Sequence, residues 1–147
     1  MSRNTQHMVA AVIGAVFLVA GVLKAWDPAG FALDIQNYRV PFLPWIDGAL
    51  LALYLPWLEI VCGVALIARI GYRGALAISA VLLVAFLAAM ASTRLRGLDI
   101  SCGCFGHGTH RGFWAELIED AVMLAVVLWL LRADLRPLSP VIKSTGP

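Results

Sequence analysis

The residues best suited to chemistry stand in segment 97–110, GLDISCGCFGHGTH. Gly103 alone separates Cys102 from Cys104. A disulfide between them closes a tight ring, and glycine supplies the backbone freedom such a ring demands. Strained, exposed disulfides are labile, which suits thiol–disulfide exchange more than architecture. Arg94, Arg96, His107 and Arg111 lie nearby in sequence and favour the thiolate, the attacking species. Two other readings stand beside this one. A structural Cys102–Cys104 staple constrains the unfolded chain little, because its loop is so short. A metal site made of Cys102, Cys104, His107 and His110 offers two thiolates and two imidazoles, a set suited to zinc or copper, although its compact spacing is unlike the common zinc modules.

Carboxyl groups form the second set. Glu59 falls near the middle of an apolar run. A carboxyl at that depth costs about 2–3 kcal/mol facing lipid, so it is expected to face the interior of a helix bundle or to be protonated. Cys62, three residues on, shares its helical face. It reads first as a small buried hydrophobe, and secondly as a thiol that resolves a mixed disulfide. Glu116, Glu119 and Asp120 have helical spacing at the start of a later apolar run. They are expected to form an ion-pair cluster with Arg94, Arg96 or Lys24. The sharper alternative gives Glu59, Glu119 and Asp120 to proton transfer during thiol exchange.

The elements that position these groups follow from composition. Of 147 residues, 61% are hydrophobic and only 14% charged, and mean hydropathy is +0.86. Soluble domains carry about 45–50% apolar and about 25% charged residues. The solvent for most of this chain is therefore expected to be lipid. Intrinsic disorder is excluded, and a net charge of +2 leaves no basic field for nucleic acid. Three cysteines are too few for a disulfide framework.

Apolar runs at about 8–25, 48–70, 74–93 and 114–131 approach or reach the ~20 helical residues that span a bilayer. The expectation is an all-α, polytopic membrane protein: one four-helix bundle over 1–147 with a flexible tail at 134–147. The first run reads as a retained span, because Lys24 and Trp26 stand where a small-residue cleavage site belongs. Asp27 and Pro28 are an N-cap and first-turn pair. With Phe31, Ile35 and Tyr38 they predict a short interfacial helix, ended by Pro41 and Pro44. In the third run Ala77, Ala80, Ala85, Ala88, Ala89 and Ser92 are expected to be packing positions. Basic residues divide six to five in favour of cytoplasmic termini. Both long loops, 26–47 and 94–113, then face the periplasm, as do most of the acidic residues.

The CGCFG element after RGLDI resembles the MauE branch of the MauE/DoxX group of small bacterial membrane proteins. So do Lys24, Asp27, Pro28, Phe31, Ile35 and Tyr38, followed by Pro56, Glu59 and Gly63. The resemblance covers about residues 8 to 130. It implies a four-helix membrane bundle associated with redox chemistry, a thioredoxin-like partner, and maturation of the disulfide-rich small subunit of methylamine dehydrogenase as the precedent. The integrated expectation is an inner-membrane thiol–disulfide oxidoreductase in which Cys102 and Cys104 are the exchanging pair. A lipid quinone as terminal electron acceptor is a hypothesis, motivated by the membrane setting and the lack of any nucleotide-binding fingerprint. The competing class is a metal-binding or assembly-scaffold protein that uses the Cys/His loop.

Overall fold

The computed structural model describes residues 3–37, 48–97 and 113–135. Among these residues stand five helices: α1 (Arg3–Trp26), α2 (Pro28–Asn37), α3 (Gly48–Ala68), α4 (Tyr72–Leu95) and α5 (Phe113–Leu135). Three of them are long and apolar enough to cross a membrane, over Asn4–Trp26, Gly48–Ala68 and Tyr72–Leu95. At 23 residues, α5 has the length, about 35 Å. It differs in carrying Glu116, Glu119 and Asp120 within its first eight residues.

The most extensive helix contact joins α1 to α3, and glycine makes it close. A β-carbon on Gly63 would lie 2.6 Å from the Gly14 carbonyl oxygen. One on Gly21 would lie 2.7 Å from the carbonyl oxygen of Pro56. Small residues allow such backbone approach in lipid, where dispersion and polar contacts drive association. The pairing of 14 with 63 and of 21 with 56 makes the two helices antiparallel. α3 runs on through Pro56.

Ala80 is buried, Ala89 and Ser92 are half-buried, and Ala77, Ala85 and Ala88 are exposed. The expected packing row of α4 is corrected accordingly. Its inward stripe is Ala75, Leu76, Ser79, Ala80, Leu82, Leu83, Met90 and Thr93. Ala77, Ala85 and Ala88 do share one face at helical spacing, but it is the face turned away from the inward stripe.

Asp27 and Pro28 behave as expected. The Gly30 N–H donates to Asp27 Oδ1 at 2.9 Å, and Pro28 opens α2. Phe31 is buried and Ile35 half-buried, with α2 folded back on α3. Tyr38, Pro41 and Pro44 lie outside the described residues.

The turn from α3 to α4 is short. Arg69 has φ of 59°, and the Ile70 N–H donates to the Ala65 carbonyl at 3.1 Å. This is a Schellman-type stop with arginine where glycine is usual. The Arg69 guanidinium stands against the His7 ring and over Tyr72, 4.6 Å from its centroid. Arg73 pairs with Asp134 at 2.6 Å. One end of the bundle thus gathers the start of α1, the α3–α4 turn and the end of α5. The other end holds the flanks of segments 38–47 and 98–112.

Many large apolar side chains point outward, among them Val12, Tyr54, Trp57, Val61, Val81, Ile118 and Val122. Water would penalise so much apolar exposure, and a bilayer does not. The chain is a multi-pass membrane protein.

Candidate functional site

The interior of this apolar bundle holds charge. Lys24, Glu59, Glu116 and Asp120 are 3%, 2%, 3% and 8% exposed. Lys24 Nζ meets Glu59 Oε1 at 2.5 Å. Lysine side chains on a helix lean toward its N-terminus. Lys24, near the C-terminal end of α1, is therefore carried down toward the middle of α3, where Glu59 stands. Aromatic rings complete the enclosure: the ammonium lies 4.6 Å from the Phe86 centroid and 5.4 Å from that of Phe31. Cation–π attraction strengthens in such desolvated settings.

Glu59 thus faces the bundle interior, as its position in the apolar run requires. Its partner is the surprise. The sequence offers Lys24, beside Arg94 and Arg96, as a partner for the acids of α5; in the structure its ion pair is with Glu59, and Asp120 lies beyond, within electrostatic range of both. The missed signal is general. A lone cation and a lone carboxylate in neighbouring spans are each too costly alone and tend to pair.

Val16, Phe17, Ala20 and Lys24 of α1, Glu59 of α3, Leu83 and Phe86 of α4, and Asp120 and Met123 of α5 surround a cavity of about 30 Å³. Glu59 Oε2 and Asp120 Oδ2 are buried with no hydrogen-bond donor from the described residues. Glu119 is half-buried beside Asp120. Asp34, which sequence reasoning leaves among the loop acids, is buried on the inner face of α2.

Cys62 is 2% exposed in the apolar core and faces Ser79 of α4. That is the setting of a packing residue. Cys102, Cys104, His107 and His110 lie outside the described residues, in the segment that joins α4 to α5. The flanks of that segment are described and adjacent: the Arg94 guanidinium lies 6.0 Å from the Phe113 centroid. Arg96 turns back onto its own helix, its Nε donating to the Ser92 carbonyl at 2.9 Å. Among the described residues no group of three or more His, Cys, Asp or Glu is arranged to hold a metal ion.

Comparison with known proteins agrees with the motif. The family model described as methylamine utilisation protein MauE matches residues 3–133. Methylamine utilization protein MauE of Paracoccus denitrificans is 33% identical over 119 residues, which are 79% of this chain and 62% of that protein. The chain therefore spans about six tenths of the length of this relative. No solved structure matches. A match over nearly the whole chain shows that the chain belongs to the MauE family.

Proposed function

We propose that this chain is a four-span inner-membrane thiol–disulfide oxidoreductase. Its Cys102–Cys104 pair exchanges disulfides with a thioredoxin-like periplasmic partner during maturation of exported proteins. The observation that carries the reading is topological. Segment 98–112 leaves α4 and rejoins α5 at the end of the bundle nearest the buried Lys24, Glu59 and Asp120. Exchange requires a dithiol and groups able to hold and release protons, and the bundle brings Glu59 and Asp120 to one cavity. A thiolate of one member attacks the partner's disulfide, a mixed disulfide forms, and the second cysteine resolves it. Two electrons pass from one dithiol to the other disulfide, and each proton lost by an attacking thiol ends on a released one. Glu59, Glu119 and Asp120 are the groups proposed to carry those protons.

The fourth span is α5. Its acids argue against a lipid-facing helix, but Glu116 and Asp120 point inward, where charge is tolerated in a bundle. The termini are cytoplasmic and the cysteine segment periplasmic in this reading, since an oxidising compartment is where a disulfide carrier works. A lipid quinone is the proposed sink for the electrons. The relative named for methylamine utilisation points to a methylamine-dehydrogenase type of substrate protein.

Cys102→Ser and Cys104→Ser, alkylated in intact membranes and separated without reductant, test this. One of the two is expected to accumulate a mixed disulfide with a thioredoxin-like protein. The reading fails if neither traps a partner. It also fails if both cysteines stay reduced under oxidising conditions while the protein copurifies with stoichiometric metal, which favours the scaffold alternative with Cys102, Cys104, His107 and His110 as ligands.

A further inference from the structure

We propose that the cavity between α1, α3, α4 and α5 is a binding site for one water molecule, which bridges Glu59 to Asp120 and exchanges a single proton with them. The inference rests on the reading of these two carboxyls as proton-handling groups, and not on the cysteine chemistry.

Size comes first. A water needs at least about 10–15 Å³ of such space and two to four polar partners. The cavity offers about 30 Å³, room enough for a water. Its partners are in place. Glu59 Oε2 and Asp120 Oδ2 are buried acceptors that no donor among the described residues reaches, and Lys24 Nζ has further hydrogens beyond the one given to Glu59 Oε1. Buried polar atoms are almost always satisfied, by protein or by ordered water. A water donating to both carboxylate oxygens and accepting from Lys24 satisfies all three groups.

Charge is the second argument. The groups lining the cavity are Lys24 from α1, Glu59 from α3 and Asp120 from α5, while α4 contributes only Leu83 and Phe86. Glu119 bears on Asp120 from its own helix. One ammonium balances one carboxylate. A second carboxylate in a low-dielectric interior has no counterion among the groups lining the cavity. One proton on the Glu59–water–Asp120 chain makes the set neutral. Proton arrival and departure thus pass through a site that connects the middle of α3 with the beginning of α5.

Infrared difference spectra between two pH values, in light and heavy water, test the site on the full chain in lipid nanodiscs. Wild type and the Cys102→Ser/Cys104→Ser double variant are both expected to show one exchangeable carboxylic-acid band with an associated confined-water O–H band. Their agreement separates this site from thiol exchange. Asp120→Asn is expected to lose both bands. Ala20→Val, which fills the cavity and keeps every charge, is expected to lose the water band alone. Circular dichroism checks the fold of each variant. If the bands survive unchanged in folded Asp120→Asn, or the water band survives in folded Ala20→Val, the proposal is overturned. It is also overturned if wild type shows no exchangeable carboxyl band.

Discussion

Lys24–Glu59 and Arg73–Asp134 are ion pairs of nearly equal length, 2.5 and 2.6 Å, but their side chains are 3% and 3% exposed in the first and 66% and 33% in the second. At the α3–α4 turn, water or headgroups solvate each partner whether or not the pair forms. The pair there ties α5 to the turn and contributes little free energy. In the bundle interior each charge was stripped of water before it met the other. Coulomb attraction is far stronger there, and so is the penalty for a missing partner. Equal geometry thus conceals unequal consequence. Only the buried pair is built so that a change of charge is felt by the rest of the bundle, which is the property a proton-handling group needs.

The comparison breaks most visibly at Lys24. Lys24→Met removes the cation and leaves Glu59 buried beside Asp120. The expected cost is about 3–5 kcal/mol, the range for orphaning one member of a buried pair, read as a lower midpoint in detergent unfolding. Adding Glu59→Leu is expected to restore most of the loss, because the offending charge goes with it. A single-variant cost below about 1 kcal/mol would put Lys24–Glu59 in the same class as Arg73–Asp134 and erase the distinction.

Gly63→Ala sharpens the same comparison without touching a charge. The added methyl meets backbone on two sides, Gly14 O at 2.6 Å and Leu18 N at 2.8 Å, so no flexible side chain can yield. Overpacking of this kind costs about 1–3 kcal/mol. Because α1 must move off α3, and Lys24 rides on α1, the cost is expected to be non-additive with Lys24→Met in a double-mutant cycle. Strict additivity would mean that Lys24 reaches Glu59 regardless of how α1 and α3 pack.

Those glycines also explain what the sequence could and could not disclose. Asp27 and Pro28 announced α2 because a cap and a first-turn proline act locally. Four apolar runs announced helices because hydropathy is summed along one segment, and three of those helices are long and apolar enough to cross a membrane. The intramembrane position of Glu59 forced it inward whatever the fold. Its partner was illegible, because choosing Lys24 over a cation elsewhere depends on the register of α1 against α3. That register is set where Gly14 meets Gly63 and Gly21 meets Pro56. The alanines of α4 misled for a related reason: small residues permit close approach but do not say which face is approached. The cavity was equally hidden, being made of single residues from four helices. The Cys102–Cys104 pair lies outside the described residues, and its chemistry is read from residue type and spacing alone.

The smallest expected effect lies at the exposed end. Arg73→Ala removes the contact with Asp134 Oδ2, 2.6 Å, and a second one with its carbonyl oxygen, 3.0 Å. Exposed pairs contribute about 0–1 kcal/mol and are screened by salt. The unfolding midpoint of Arg73→Ala is therefore expected to sit close to that of wild type, with the difference shrinking further as ionic strength rises. Under the same salt series the Lys24→Met deficit is expected to hold constant, since ions do not enter the bundle interior. The two responses to salt, more than the two magnitudes, separate a solvated tie from a desolvated one. A Lys24→Met deficit that faded with salt would mean that water reaches Glu59, and the pair would then be a solvated tie like Arg73–Asp134.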